Sequence, residues 1–380
     1  MADSPTLSPK DTATRTPTGR MRSVPRLVFT DAEAGALEFP SAHSRSFNYF
    51  EPLRLRATVY EDVTVDVQPD PERYLTQGWV YGFAKGPGGY PKEWTALKSS
   101  DWHRFRDPNE EWEQTIYRNN ARLVREIEQV IAAAKSEGAF DQWSPGWERV
   151  VERQVGAWMH AEHGLGMHVF LPAQRDAPTN MINNAISVNS MHKLRIAQDL
   201  ALYNLEVADA RDGFDGGAHL AVWDSDPVWL RVRENVELLT AVRDWAEAVV
   251  ATNLAFEPLV GELFRSQFVM STAAANGDFV TPLVMNVAES DFDRDLNYTT
   301  ILLGDLVADK QYGQENAGVL AGWLAKWIPR SLETARALEP IWGLPEHGGI
   351  GFADALSRTR ARTQLILDDL KIPRPKELEA

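Results

Sequence analysis

The chain has 380 residues, of which 44% are hydrophobic and 24% charged, with a net charge of −15 and no cysteine. That size and balance fit a globular protein with one large core or two small ones. The missing cysteines exclude disulfides, cysteine-held zinc, iron–sulfur clusters and thiol catalysis, and the acidic balance argues against non-specific binding to nucleic acid or to an anionic membrane.

Residues 1–45, beginning "MADSPTLSPKDTATRTPTGR", are rich in Ser, Thr, Pro and Arg. They read as a flexible arm and lack the apolar core of a secretion signal. No uncharged apolar run approaches the ~18 residues a spanning helix needs, so the expected location is the cytoplasm. Residues 46–106 read as an extended, irregular, aromatic-rich segment. Within it "FNYFEPLRLRATVYEDVTVDVQ" (47–68) has β-branched residues in partial alternation, which predicts a short strand or extended stretch. Trp79, Trp94 and Trp102 stand among glycines and prolines. They either fasten this segment to the core or face a partner, since aromatic residues and arginine favour interface centres. The second reading picks Trp102, Phe105, Arg106 and Trp112 as interface residues.

From Asp107 the pattern becomes helical, giving a third region at 107–380. "DPNEEW" resembles a helix start, with Asp107 as cap, Pro108 in the first turn and Glu110 at the third position. Ser144 and Pro145 repeat that logic. Helices are expected at about 108–136, 145–170, 179–210, 227–253, 255–275, 279–307, 313–341 and 351–370. Short turns such as "RDGFDGG", "NGD" and "GLPEHGG" separate several of them. Long helices with short connections imply antiparallel neighbours in an all-α bundle.

In such bundles a carboxylate-bridged metal pair uses two single glutamates and two Glu-x-x-His motifs. No acid stands three residues before any of the eight histidines. "DFDRD" (291–295) opens like a calcium loop, but Leu296 and Leu302 occupy the places that need Gly and Glu. "HAEH" puts His160 and His163 on one helix face with Glu162 nearby, and offers a self-sufficient metal enzyme as a rival reading. "KGPGGY" (85–90) lacks phosphate-loop spacing. A third reading is a carrier of apolar ligands, because long-helix bundles can enclose cavities.

The negative result gains meaning from the neighbouring residues. "STAAANGDFVTPLVMNVAESDFDRDLNY" (271–298) resembles the helix that carries the second Glu-x-x-His in the large subunit of soluble di-iron monooxygenase hydroxylases. That family writes Asp-Glu-x-Arg-His where this chain writes Asp291-Phe292-Asp293-Arg294-Asp295. Phe292 then takes the Glu position and Asp295 the His position. "HKLRIAQ" (192–198) is similar to the first motif, with Lys193 for Glu and Ile196 for His. "QVGAWMH" resembles the helix with an isolated Glu ligand, Ala157 in its place, and Glu257 in "FEPLVGEL" lies near the fourth position.

From about residue 45 the whole chain is similar to the small, or β, hydroxylase subunits of these systems, most of all to the branch acting on propane and related short-chain alkanes. "NYFEPLRLRATVYEDVT", "WVYGFAKGPGGYPKEW" and "WHRFRDPNEEWEQTIYRNNARL" carry that likeness. The resemblance implies a ferritin-like fold with an extended N-terminal arm and a non-catalytic place in an α2β2 hydroxylase. It also implies no cofactor in this chain and a di-iron centre in the α subunit. NADH and flavin or iron–sulfur chemistry would belong to a separate reductase, beside a small coupling protein. Phe292 and Ile196 supply no ligand atoms, and the Lys193 ammonium repels a dication. A buried lysine needs a counter-charge, and a Lys193–Asp295 ion pair is the expectation.

Overall fold

The computed structural model describes residues 52, 57–65 and 94–379. The expected arm (1–45), Trp79 and the glycine-rich "KGPGGY" lie outside them. Among the described residues there is no strand. The alternation at 47–68 predicted a short strand or extended stretch; of that range residues 52 and 57–65 are described, and they include helix α1, Val59–Thr64. Thr58 and Glu61 close a reciprocal cap, each side chain accepting from the other's backbone N–H at 3.2 Å. That local bonding outweighs the β preference of the two valines and the threonine.

Residues 94–106 are tied down by the bundle. The amides of Ala96, Lys98 and Ser100 donate to Asp244, Asn316 and Asp309 at 2.7, 2.9 and 2.7 Å. Trp102 is only 7% exposed, and its ring meets that of Trp245 edge-on at 6.0 Å. Phe105 is 2% exposed. Arg106 is 5% exposed and spends its guanidinium on the carbonyls of His103 and Phe105. These three residues of the expected interface therefore belong to the chain's own core. Trp112 alone is half-buried.

Helix α2 is Glu113–Ser136, starting later than "DPNEEW" predicts. Asp107 does accept from the Asn109 amide at 2.9 Å, but Glu110 sits at φ 51°, a left-handed turn that no helix passes through. Helix α3 spans residues 145–175. It is α-helical over Pro145–Arg149, Gly156–Gly164 and Leu171–Arg175, and π-wound over Val150–Val155 and Leu165–Phe170. Ser144 does not cap it. Its hydroxyl donates to Asn276, while the Glu346 carboxylate accepts from the Gly146 amide at 2.8 Å.

Helix α4, Asn180–Ala210, is capped by the Thr179 hydroxyl. The short α5, His219–Ser225, leads into α6, Pro227–Thr240. The predicted helix 227–253 is broken there, because Asp244 caps a new helix through the amides of Ala246 and Glu247. That helix, α7, runs over residues 245–270 through the predicted break near 254. Its Trp245–Ala251 turns give way to π-winding over Thr252–Gly261 and Leu263–Met270. Pro258 lies inside the first π segment, where the wider winding accommodates the missing donor. Helices α8 (Thr281–Val307), α9 (Gly313–Ala337), α10 (Phe352–Asp369) and the one-turn α11 (Lys376–Glu379) complete the chain.

Helices α3, α4, α8 and α7 pack in a ring, each against the next. Helix α2 lies outside α4, and α9 and α10 cover α7. Small residues set the α3–α4 approach. A Cβ on Gly166 would stand 2.8 Å from Leu194 Cγ and 3.1 Å from Lys193 Cβ, and one on Gly156 would stand 2.7 Å from Asn204 Nδ2. The two helices are therefore antiparallel and close enough for residues of the Lys193 turn to reach across the ring.

Candidate functional site: a buried ionic centre

At the middle of the ring an apolar core is interrupted by charge. Arg265 of α7 is fully buried, and each of its three nitrogens holds a different acid. Nη1 donates to Glu162 of α3 at 3.0 Å, Nη2 to Glu257 of α7 at 2.7 Å, and Nε to Glu289 of α8 at 2.6 Å. Lys193 of α4 closes the box, donating to Glu257 Oε1 at 2.6 Å and lying 3.2 Å from Glu162 Oε2. The Trp158 indole N–H donates to Glu162 Oε1 at 2.7 Å. Two rings flank the guanidinium, Trp158 at 5.6 Å and Phe292 at 5.9 Å. Gly261 leaves the room this needs, since a Cβ there would stand 2.6 Å from Glu257 Oε2.

Burial alone would raise the Glu257 carboxyl, but Arg265 and Lys193 more than offset it and hold it below the ordinary range. Burial pulls Lys193 down, and Glu162 and Glu257 bring it above its usual value. Glu257 and Lys193 are therefore both charged at neutral pH. The buried charges tie four helices to one point, in a geometry that apolar packing alone would not specify.

A second network lies one step along α4 and α8. The Asp295 carboxylate meets His192 Nδ1 at 2.8 Å and accepts from Asn189 Nδ2 at 2.8 Å. Asn189 continues to Asn253 and to the Tyr298 hydroxyl, at 2.8 and 2.9 Å. On the other side His192 Nε2 is 3.8 Å from both Asp291 and Glu111, and Asp291 also holds Arg195 and Arg294. Burial disfavours a charged His192, but Asp295, Asp291 and Glu111 raise it above the ordinary imidazole value.

The sequence-predicted residues divide accordingly. Lys193 and Phe292 do meet at the centre, and Glu257 joins them. The expected Lys193–Asp295 pair does not form: Lys193 takes Glu257 and Glu162, while Asp295 takes His192 and Asn189. Neighbours on a helix point about 100° apart, so Lys193 and His192 reach different acids. Ile196 is packed in the apolar core. Ala157 falls level with the turn holding Tyr203 and Asn204, about 15 Å along the helix from Lys193. Glu162 is the residue α3 delivers. Sequence reading passed over Arg265 and Glu289. A lone arginine within the apolar run "LVGELFRSQFV" was the available signal, because such a residue must find counter-charges inside.

These residues do not fit a di-iron centre. Such a site needs carboxylate and imidazole donors free to ligate. Here Glu162, Glu257 and Glu289 are each taken by a cation, and His192 has its Nδ1 on Asp295. The rival histidines go elsewhere. His160 Nε2 is 2.9 Å from His219 Nδ1, and the His160 ring stacks on Trp223. Burial, then His219 and His163, push its pKa down to about 4, so it is neutral at pH 7. His163 instead meets His168 edge-on. No group of three or more His, Asp or Glu able to hold a metal occurs among the described residues. The groove between α2 and α4, about 560 Å³ and lined by Tyr117, Val124, Met191 and Leu194, is open along Tyr117, which is 57% exposed.

One flanking carboxylate yields a pH prediction. Glu262 lies 3.0 Å from Arg362 with a side chain 10% exposed. Burial lifts its pKa to about 7, Arg362 opposing and Glu289 adding to the rise. A carboxyl raised on folding stabilises below its unfolded value of 4.5, and that stability is lost as pH rises through about 7. Glu262→Gln should thus gain on the wild type by about 2–3 kcal/mol between pH 4.5 and pH 8. Urea unfolding of both proteins at the two pH values measures this, and a difference independent of pH would refute it.

Residues 79–310 match the methane/phenol/alkene hydroxylase family. The chain is 55% identical over 95% of its length to "Propane 2-monooxygenase, hydroxylase component small subunit" of Mycolicibacterium goodii, covering 98% of that protein. It is 27% identical over 84% of its length, and 85% of the relative's, to "Methane monooxygenase component A beta chain" of Methylococcus capsulatus. Its fold matches that of phenol hydroxylase from Pseudomonas sp. OX1 with a TM-score of 0.69 at 19% identity, over 85% of this chain and 93% of the other. The chain belongs to the methane/phenol/alkene hydroxylase family, on its small-subunit side.

Proposed function

We propose that this chain is the non-catalytic β subunit of a multicomponent monooxygenase hydroxylating propane or related small hydrocarbons. The observation that carries this reading is 55% identity over nearly the full length of a propane 2-monooxygenase small subunit. The ionic centre supports it, since the inward positions that could ligate iron are committed to Lys193, Arg265 and His192. Propane is favoured over methane by the drop from 55% to 27% identity between the two kinds of relative. In this reading the di-iron centre belongs to an α subunit, the assembly is α2β2, and a separate NADH-dependent flavin and iron–sulfur reductase delivers electrons. A coupling protein completes the system in the cytoplasm. No helix among the described residues is long and apolar enough to cross a membrane.

The three regions 1–45, 46–106 and 107–380 then act as an arm that wraps the partner, a connecting segment and the bundle. Trp112 keeps surface for a contact. Co-expression with its α subunit tests this: the two chains should co-purify, and gel filtration should return a heterotetramer. Deleting residues 1–45 should shift material to dissociated species at micromolar concentration. Failure to co-purify would refute the subunit assignment, and unchanged assembly would refute the arm's role.

A further inference from the structure

The outer face of α4 is not covered by any described residue. Between it and α2 runs the groove of about 560 Å³, walled by Tyr117 and Val124 on one side and by Met191 and Leu194 on the other. Residues three and four apart share a helix face, so Leu202 and Leu205 continue the α4 wall, at 45% and 61% exposed. A continuous apolar strip of this kind marks a contact surface. Two polar atoms of the same lining say what kind of contact it is. Asn120 Oδ1 and Arg195 Nε are buried and have no hydrogen-bond partner among the described residues. Arg195 spends its other two nitrogens on Asp199 and Asp291, so one donor is left over. Buried groups are seldom left unpaired in a finished assembly. The rim is basic although the chain carries a net charge of −15. Arg118 and Arg125 are exposed, two turns apart on α2, and in no ion pair among the described residues, whereas Arg122 is held by Glu126 at 2.8 Å.

We propose that this groove seats a helix of the α subunit, one that turns an apolar stripe toward α2 and α4 and carries acidic residues beside it. The inference rests on the subunit reading above and names a surface for it. Side chains at i, i+3, i+4 and i+7 of an amphipathic helix are the ones that enter a groove between two helices. Tyr117, Leu202 and Leu205 supply the apolar contact, and Arg118 and Arg125 meet the acids. A side chain with both a donor and an acceptor answers Asn120 Oδ1 and Arg195 Nε together. Charge complementarity of this sort fixes which partner docks and in what register. The half-buried Trp112 stands just over one turn before Tyr117, so the surface it keeps adjoins the groove.

The test measures by sedimentation how tightly the full-length chain binds its α subunit. It compares the wild type, Tyr117→Glu/Leu205→Glu, Arg118→Glu/Arg125→Glu and a control on α6, Leu230→Glu/Leu238→Glu. All six positions are exposed, so each variant should keep the circular dichroism of the wild type. Both groove variants should raise Kd about tenfold or more, and the control should stay within about twofold. In the wild type, binding of α should slow hydrogen exchange over residues 117–125 and 191–205. If the wild type binds while the groove variants bind as tightly, or those stretches exchange unchanged, the proposal fails and the subunit reading stands. A wild type that does not bind α removes both. The same measurements detect two other occupants. A lone chain that self-associates, and becomes monomeric with Tyr117→Glu/Leu205→Glu, holds a second copy in the groove. Faster exchange over 191–205 in the lone chain after deletion of residues 1–45 puts its own arm there. Either result overturns the proposal.

Discussion

Replacing Arg265 by methionine should destabilise the chain by about 3–5 kcal/mol, because one partner of a buried charge group is removed while the others stay buried. Methionine keeps much of the volume and the contact with Trp158 and Phe292, so the loss reads charge rather than packing. In the wild type Arg265 and Lys193 hold the Glu257 carboxyl low. Without the guanidinium, burial dominates and raises it. A carboxyl raised on folding is more stable protonated, so the variant should recover part of its loss as pH falls from 7 toward 5. Chemical denaturation followed by circular dichroism measures both effects. A cost under about 1 kcal/mol, with no pH-dependent recovery, would mean that the centre does not hold the bundle together.

Lys193→Met should cost about 3 kcal/mol or more alone, since Glu257 Oε1 and Glu162 Oε2 lose the ammonium that pairs with both. The informative experiment is the cycle with Glu257→Gln. Each single change takes one of two partners from a charge that stays buried, whereas the double variant leaves a neutral amide beside Arg265. The double should therefore be less damaged than the sum of the singles by about 1–3 kcal/mol. Additive losses would show that Lys193 and Glu257 act independently, against the 2.6 Å bond between them. The same cycle with Asp295→Asn in place of Glu257→Gln should be close to additive, because Asp295 is spent on His192 and Asn189.

Much of the bundle is legible in the sequence because its helices start on local chemistry. Thr179 caps α4, Asp226 and Pro227 open α6, and Pro282 sits in the first turn of α8. Where prediction missed, another force prevailed. The helix Val59–Thr64 is made by a reciprocal cap that the β-branched composition concealed. The expected break near residue 254 does not occur, because π-winding carries α7 through Pro258. Trp102, Phe105 and Arg106 read as interface residues by composition, but composition does not say which chain covers an aromatic group.

The site was legible by halves. The absence of Glu-x-x-His and the positions of Lys193 and Phe292 follow from the sequence. Which acid answers Lys193 depends on the register between α4 and its neighbours. The close approach of Gly166 to Lys193 and Leu194 helps set that register between α3 and α4, and a single sequence does not reveal it. Arg265 and Glu289 were missed because they belong to no motif. Their meaning comes from being brought together with each other across α7 and α8, and with Glu162 of α3, 103 residues before Arg265.

Metal analysis of the chain purified alone and with its α subunit, paired with an assay of propane hydroxylation, bears most directly on the central claim. The expected result is iron well below one atom per isolated chain and no hydroxylation, with both iron and activity appearing when the α subunit, reductase and coupling protein are supplied. Two iron atoms in each isolated chain, or product formed without the α subunit, would contradict it.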